Sequence, residues 1–218
     1  EAEKELSQSK ILLFPLGARL KEHGHHLPLN NDWSMAEYFS KLVTKKLLEE
    51  NFSPGVLLMP TIQFGFYPAF CDYPGSVNIQ EETFAEYLYQ LFTSLTNHIP
   101  KEKKIYCLNT GISTLWPLRT VQERLKNEGV DLRFTNLKTL DENLSATGFC
   151  EEQERGTHAD EMETSMMLHI LPDSVHMEKA QKDIDPEGVK GAFSRVPGVK
   201  NRIYSPTGAW GDPTLASP

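Results

Sequence analysis

The chain has 218 residues, 39% hydrophobic and 24% charged, with a formal net charge of −8. That length suits one domain with a real core, read as a single unit over residues 1–218. The negative field repels phosphate backbones and no apolar run approaches the ~20 residues that span a bilayer, so neither nucleic acid nor membrane is an expected partner. In chain order, short apolar runs at residues 11–14, 56–59 and 105–108 each stop at turn residues. Such runs suit strands buried on both faces of a parallel sheet. Between them, Met35, Phe39, Leu42, Val43 and Leu47 recur at helical spacing, predicting a helix over 33–50. Phe84, Leu88, Leu91, Phe92 and Leu95 predict another over 82–98. A third helix is expected over 114–127, a strand over 131–136, and a fourth helix over 160–171 with Met162, Met166, Met167 and Ile170 as its core face. This alternation argues for a three-layer α/β/α sandwich with a mostly parallel central sheet. Ligands of such sheets sit beyond the carboxyl ends of the strands, so the loops after Leu16, Pro60 and Leu108 carry the interest.

Cys71, Cys107 and Cys150 form no Cys-x-x-Cys and no paired framework, and Cys107 is expected simply to be buried. The chain begins at Glu1, which leaves the compartment open: cytoplasmic, or periplasmic or secreted if a signal segment was removed before it.

The first loop reads Lys21-Glu22-His23-Gly24-His25-His26-Leu27-Pro28-Leu29-Asn30-Asn31-Asp32. Imidazole and carboxylate are the usual ligands of Zn, Mn or Fe, and their density here points to a divalent metal. Two carboxylates with histidine suit a two-metal site, where a bridging carboxylate screens cations ~3.5–4 Å apart. Asp32 is equally placed to cap the following helix.

The stretch from Leu16-Gly17-Ala18 through Glu22-His23-Gly24-His25-His26-Leu27-Pro28-Leu29 to Asp32 resembles the opening motif of the creatininase family. Tyr73-Pro74-Gly75-Ser76-Val77 resembles a second family segment, and His158-Ala159-Asp160-Glu161-Met162-Glu163-Thr164-Ser165-Met166-Met167-Leu168 a third. Pro172-Asp173-Ser174-Val175 and Gly211-Asp212-Pro213-Thr214-Leu215-Ala216-Ser217 resemble its closing motifs. The resemblance implies a metal-dependent hydrolase that opens a C–N bond of a small cyclic amide, lactam or formamide. It implies one or two divalent ions (Zn, Mn or Fe) held by Glu22, His23, Asp32 and Glu161, with Asp32 bridging. It makes His158 the proton donor and Glu161 its catalytic neighbour, and it suggests a homo-oligomer, a hexamer by analogy. Spacing agrees in part, since His158 and Glu161 lie three apart at a helix start.

The chain departs from the family in three places. The family Glu sits two residues before its His, whereas Glu22 directly precedes His23. Many relatives carry a ligand His where Gly111 stands; a second ion is then absent, or His25, His26 or Glu161 replaces that ligand. Residues after Pro218 continue as a helix in relatives. Tyr67 and Phe70 in an aromatic second loop, with His26, Asn109, Ser113 and Thr114, are the expected substrate contacts. That aromatic loop also suits a subunit interface, and Thr114 a helix cap. Two alternatives stand beside the amidohydrolase: a family member that binds a small molecule or partner without turnover, and a mononuclear lactone or ester hydrolase.

Overall fold

The apolar runs do form a shared sheet in the computed structural model, which describes residues 1–50, 52, 55–96, 104–136, 151–185 and 191–218. Helix α1 (Ala2–Gln8) leads into β1 (Ile11–Leu16), α2 (Asn31–Glu49), β2 (Val56–Leu58) and α3 (Glu81–Thr96). Then come β3 (Lys104–Asn109), α4 (Leu115–Asn127), β4 (Asp131–Phe134) and α5 (Glu161–Ile170). Strands β1 to β4 form one parallel sheet in the order β2-β1-β3-β4. Two short strands, β5 (Ala192–Ser194) and β6 (Arg202–Tyr204), pair in a separate small sheet.

Side chains alternate across a strand, so Leu12, Phe14 and Leu16 of β1 share one face. With Ile105 and Cys107 of β3 they meet Phe84, Leu88 and Phe92 of α3 and Leu118, Val121 and Leu125 of α4. Every one of these is essentially closed to solvent. Helix α2 packs on β1 and β2 without entering that cluster, and covers the opposite face. The result is the expected three-layer α/β arrangement. Helix α5 stacks outside α2 around Leu27, Met35 and Met167. Cys107 is fully buried and burial pushes its thiol pKa up, as its strand position suggests. Cys150 and His98 lie outside the described residues.

Three local expectations need correction. The buried face of α5 is Glu161, Thr164 and Met167, with Met166 and Ile170 half-buried against the Met167 cluster; Met162 alone of the four expected core residues lies outside that cluster and lines a groove against α2. Asp32 does not cap α2, since it lies inside the first turn with its carboxylate turned inward. Thr114 precedes α4 but makes no side-chain cap bond; its hydroxyl donates to Asn109 Oδ1 and Gly111 O instead.

The strand order creates the crevice. The chain leaves β1 through α2 on one face and leaves β3 through α4 on the other, so the loops after these neighbouring strands part. Gly17 lets the first turn of α2 come close to this point. A Cβ there would stand 2.3 Å from the Asp32 carbonyl oxygen and 2.8 Å from Thr110 Oγ1. Thr110 ties the two loops together by donating to that same Asp32 carbonyl at 3.0 Å.

Candidate metal centre and cleft

The loop after β1 is closed on itself. Lys21 N donates to Leu29 O, and Asn31 N to Pro28 O, each at 3.1 Å. This brings residues 21–23 against Asp32. His23 and Asp32 are wholly buried. His23 Nε2 stands 2.8 Å from Asp32 Oδ1, and its Nδ1 stands 2.8 Å from Lys21 O. The second oxygen of Asp32 is 2.5 Å from Lys21 Nζ. Burial pushes the Asp32 carboxyl up, but Lys21 and then His23 outweigh it and hold it well below the usual range. Burial drives the His23 imidazole down, against the pull of Asp32.

The other half of the site comes from the entry to α5. A pair of backbone bonds with Trp210 fixes His158, and Ala159 takes a positive φ of 48°. Asp160 then caps the helix by accepting from Glu163 N at 3.0 Å, while Glu163 Oε2 folds back to accept from Ala159 N at 2.7 Å. This reciprocal arrangement is a variant of the capping box. It leaves Glu163 Oε2 3.8 Å from His158 Nδ1. His158 Nε2 donates to the Glu22 carbonyl at 2.7 Å, which commits its one N–H when the ring is neutral. Burial, then His23 and Lys21, lower the His158 pKa well below its ordinary value. Burial and the nearby Asp32 push the Glu163 carboxyl up to about 8.

Ligand atoms of His23, His158 and Glu163 lie within 4.8 Å of one another. Two imidazoles and a carboxylate are a donor set for Zn, Mn or Fe. The His23 surroundings fit a cation as well. Both ring nitrogens face oxygen acceptors, and a neutral ring has one N–H to give. If Nδ1–H serves Lys21 O, the Nε2 lone pair opposes Asp32 Oδ1 unless a cation lies between them. The Lys21 ammonium occupies the far side of Asp32.

The site opens into a cleft of about 420 Å³. Lys21, His158 and Glu163 form its polar wall, and Tyr67, Phe70, Trp116 and Phe193 its aromatic one. Phe70 lies 4.2 Å from the His158 ring and stacks on Phe193 at 4.8 Å.

A family model described as creatinine amidohydrolase matches residues 1–218. The chain belongs to the creatininase family. It is therefore an enzyme of the amidohydrolase type. A mycofactocin precursor peptide peptidase of Mycobacterium ulcerans is 25% identical over 215 residues, covering 94% of this chain and 76% of that protein. A 3-dehydro-scyllo-inosose hydrolase of Thermotoga maritima is 26% identical over 190 residues, covering 84% of this chain and 57% of that protein. Among solved structures, a putative creatinine amidohydrolase from Bacteroides fragilis aligns with a TM-score of 0.71 at 22% identity, over 98% of this chain and 83% of that one. A manganese form of creatininase aligns at 0.66 and 20% identity, over 95% and 82%.

Within this creatininase-type frame, the residues singled out from sequence separate into two groups. His23 and His158 converge, Asp32 pairs with His23, and Tyr67, Phe70 and Ser113 line the cleft, although the Ser113 hydroxyl is engaged by Phe66 O. The others lie elsewhere. The Glu22 carboxylate accepts from the backbone N–H of His23 and Gly24 and packs against Gly208; burial raises its pKa, tempered by Arg195. Glu161 turns away and accepts from Glu152 N and Gln153 N. The reason is geometric: His158 precedes the cap Asp160, so helical three-residue spacing does not apply to the pair. Asn109 and Thr114 are buried and bonded to one another and to Gly111, which gives them a structural role. His25 is exposed.

His26 is also structural. Its Nε2 meets Thr164 Oγ1 at 2.9 Å, bracing the first loop against α5. Burial, with His23 and His25 nearby, lowers its pKa to about 4. Between that value and its ordinary one near 6.5, an unfolded chain binds a proton that the folded chain refuses. Folding stability therefore falls as pH drops through this window, by about 2–3 kcal/mol from this group. Urea melts at pH 7 and pH 4.5 will show wild type losing more stability than His26→Gln by roughly that amount. Equal losses in the two proteins would contradict it.

Lys21 and Glu163 were not singled out from sequence. For Glu163 a signal existed: Asp160 followed three residues later by Glu163 is a capping pattern that turns the Glu side chain back past the helix start.

Proposed function

We propose that the chain hydrolyses a C–N bond of a small planar amide, lactam or formamide with one divalent ion per chain. The reading is carried by the convergence of His23, His158 and Glu163 at the head of a half-aromatic cleft. Those three residues would hold the ion, with Asp32 beside His23. A divalent ion there supplies Lewis acidity, polarising a carbonyl and acidifying water. Hydrolysis adds hydroxyl to the carbonyl carbon and a proton to the departing nitrogen. We assign His158 to the ion rather than to proton donation. Its single N–H is spent on the Glu22 carbonyl, and its Nδ1 faces Glu163. The Phe70 ring packs on His158 and fixes its plane, and with Tyr67 it offers flat apolar surface to a planar substrate.

The test is a metal-supplemented screen. The protein is stripped with chelator, reloaded with Zn²⁺ or Mn²⁺, measured for metal content, and assayed against lactams, formamides and short peptides. Peptides belong in the panel because relatives include a peptide peptidase. The expected result is one equivalent of metal and metal-dependent cleavage in one of the three classes. A protein that retains no metal and cleaves nothing in the panel is not this enzyme.

A further inference from the structure

We propose that the Lys21 ammonium takes the place of a second metal ion, so that Asp32 bridges one divalent ion and one lysine. The inference rests on the single-ion reading above and names what stands on its other side. Asp32 has both oxygens engaged in a wholly buried setting: Oδ1 with His23 Nε2 at 2.8 Å, Oδ2 with Lys21 Nζ at 2.5 Å. A carboxylate with a cation expected at each oxygen is how a two-metal hydrolase screens its ions. Here one of the two cations is tethered to the chain. Lys21 is itself buried, with its side chain 10% exposed.

The surroundings suit an ammonium better than a metal. Lys21 Nζ lies 5.6 Å from the Phe70 ring centre and 6.0 Å from that of Tyr67. Aromatic faces attract a cation but supply no strong ligand. On the β3 side, Gly111 supplies no side chain, and the space above it is taken. A Cβ there would meet Thr114 Oγ1 at 3.0 Å and Tyr67 Cε1 at 3.4 Å. A larger side chain at 111 would press on the Thr114 hydroxyl and lie against the Tyr67 ring.

The exchange has a chemical consequence. An ammonium carries three N–H donors, and one serves Asp32. Lys21 also lines the cleft, so the remaining donors are available to a substrate carbonyl oxygen. A fixed positive donor aimed at developing negative charge polarises that carbonyl as a second ion would.

The test counts metal. Wild type, Lys21→Glu and Lys21→Gln are equilibrated with excess Mn²⁺, and bound metal is measured by elemental analysis and electron paramagnetic resonance. The expected result is one Mn²⁺ in wild type and two in Lys21→Glu, the latter with the broadened signal of a coupled pair. Two ions in wild type, or an unchanged count in folded Lys21→Glu, overturns the proposal. If Lys21→Glu does not fold, Lys21→Gln decides by its melting temperature. It should keep rising with Mn²⁺ beyond the first equivalent, where wild type stops; no further rise overturns the proposal. Wild type with no metal at all would sink the single-ion reading. Lys21→Glu gaining one ion over that baseline would still support the lysine's role, and no gain would end it.

Discussion

Asp32→Ala will destabilise the metal-free protein by about 3–5 kcal/mol, because it leaves the Lys21 ammonium buried without its counter-charge. The loss should not be read as the worth of the ion pair, since desolvating two charges costs most of what their attraction returns. Removing both partners together separates the two quantities. Lys21→Met with Asp32→Leu places apolar side chains where the charges were, and much of the stability should return. Urea melts of both single variants and the double variant give the coupling. An Asp32→Ala variant within about 1 kcal/mol of wild type would mean that the pair is not desolvated as described. The same variant loses the oxygen that faces His23 Nε2, so its metal content should fall as well.

Glu163→Gln will remove metal binding while leaving the fold intact. The amide oxygen of Gln can still accept from Ala159 N, so the start of α5 keeps its shape. Burial raises the carboxyl of Glu163, with Asp32 adding to it, so a neutral amide costs no more to bury in chelated protein. Metal affinity should fall by more than about 100-fold, the upper end for residues that only support a ligand. Isothermal titration with Zn²⁺ measures it, and hydrolysis should fall in parallel. Wild-type affinity in this variant would exclude Glu163 as a ligand. A matching loss in Glu161→Gln would point to the other carboxylate of α5, which the structure binds to the 152–153 backbone instead.

The sheet was readable in the sequence because its strands are short apolar runs closed by turn residues, and α3 because its buried positions Phe84, Leu88 and Phe92 recur at helical period. Strands β5 (Ala192-Phe193-Ser194) and β6 (Arg202-Ile203-Tyr204) mix polar with apolar residues and form no apolar run. His23 and Asp32 were readable as ligand chemistry concentrated after a strand. Lys21 was not, because its meaning lies in a partner eleven positions ahead that only the folded loop brings near. The exchange of Glu161 for Glu163 has a different origin. A periodicity argument assumes one continuous helix, and the left-handed Ala159 with the Asp160 cap interrupts it at the residue that matters. Polar residues in a strand-to-helix turn look alike whether they face a ligand or one another, and the side chains of Asn109 and Thr114 face one another.

The bonds that hold the two halves of the site together, His26 to Thr164 and His158 to Glu22, join residues 138 and 136 positions apart. Contacts of such separation carry the largest closure cost and are made after the local ones. The sheet and its helices can therefore assemble before the two halves of the candidate site meet. A ligand that spans both halves finds its full set of partners only in the finished fold, and it prolongs the life of the native state by slowing unfolding rather than by hastening folding.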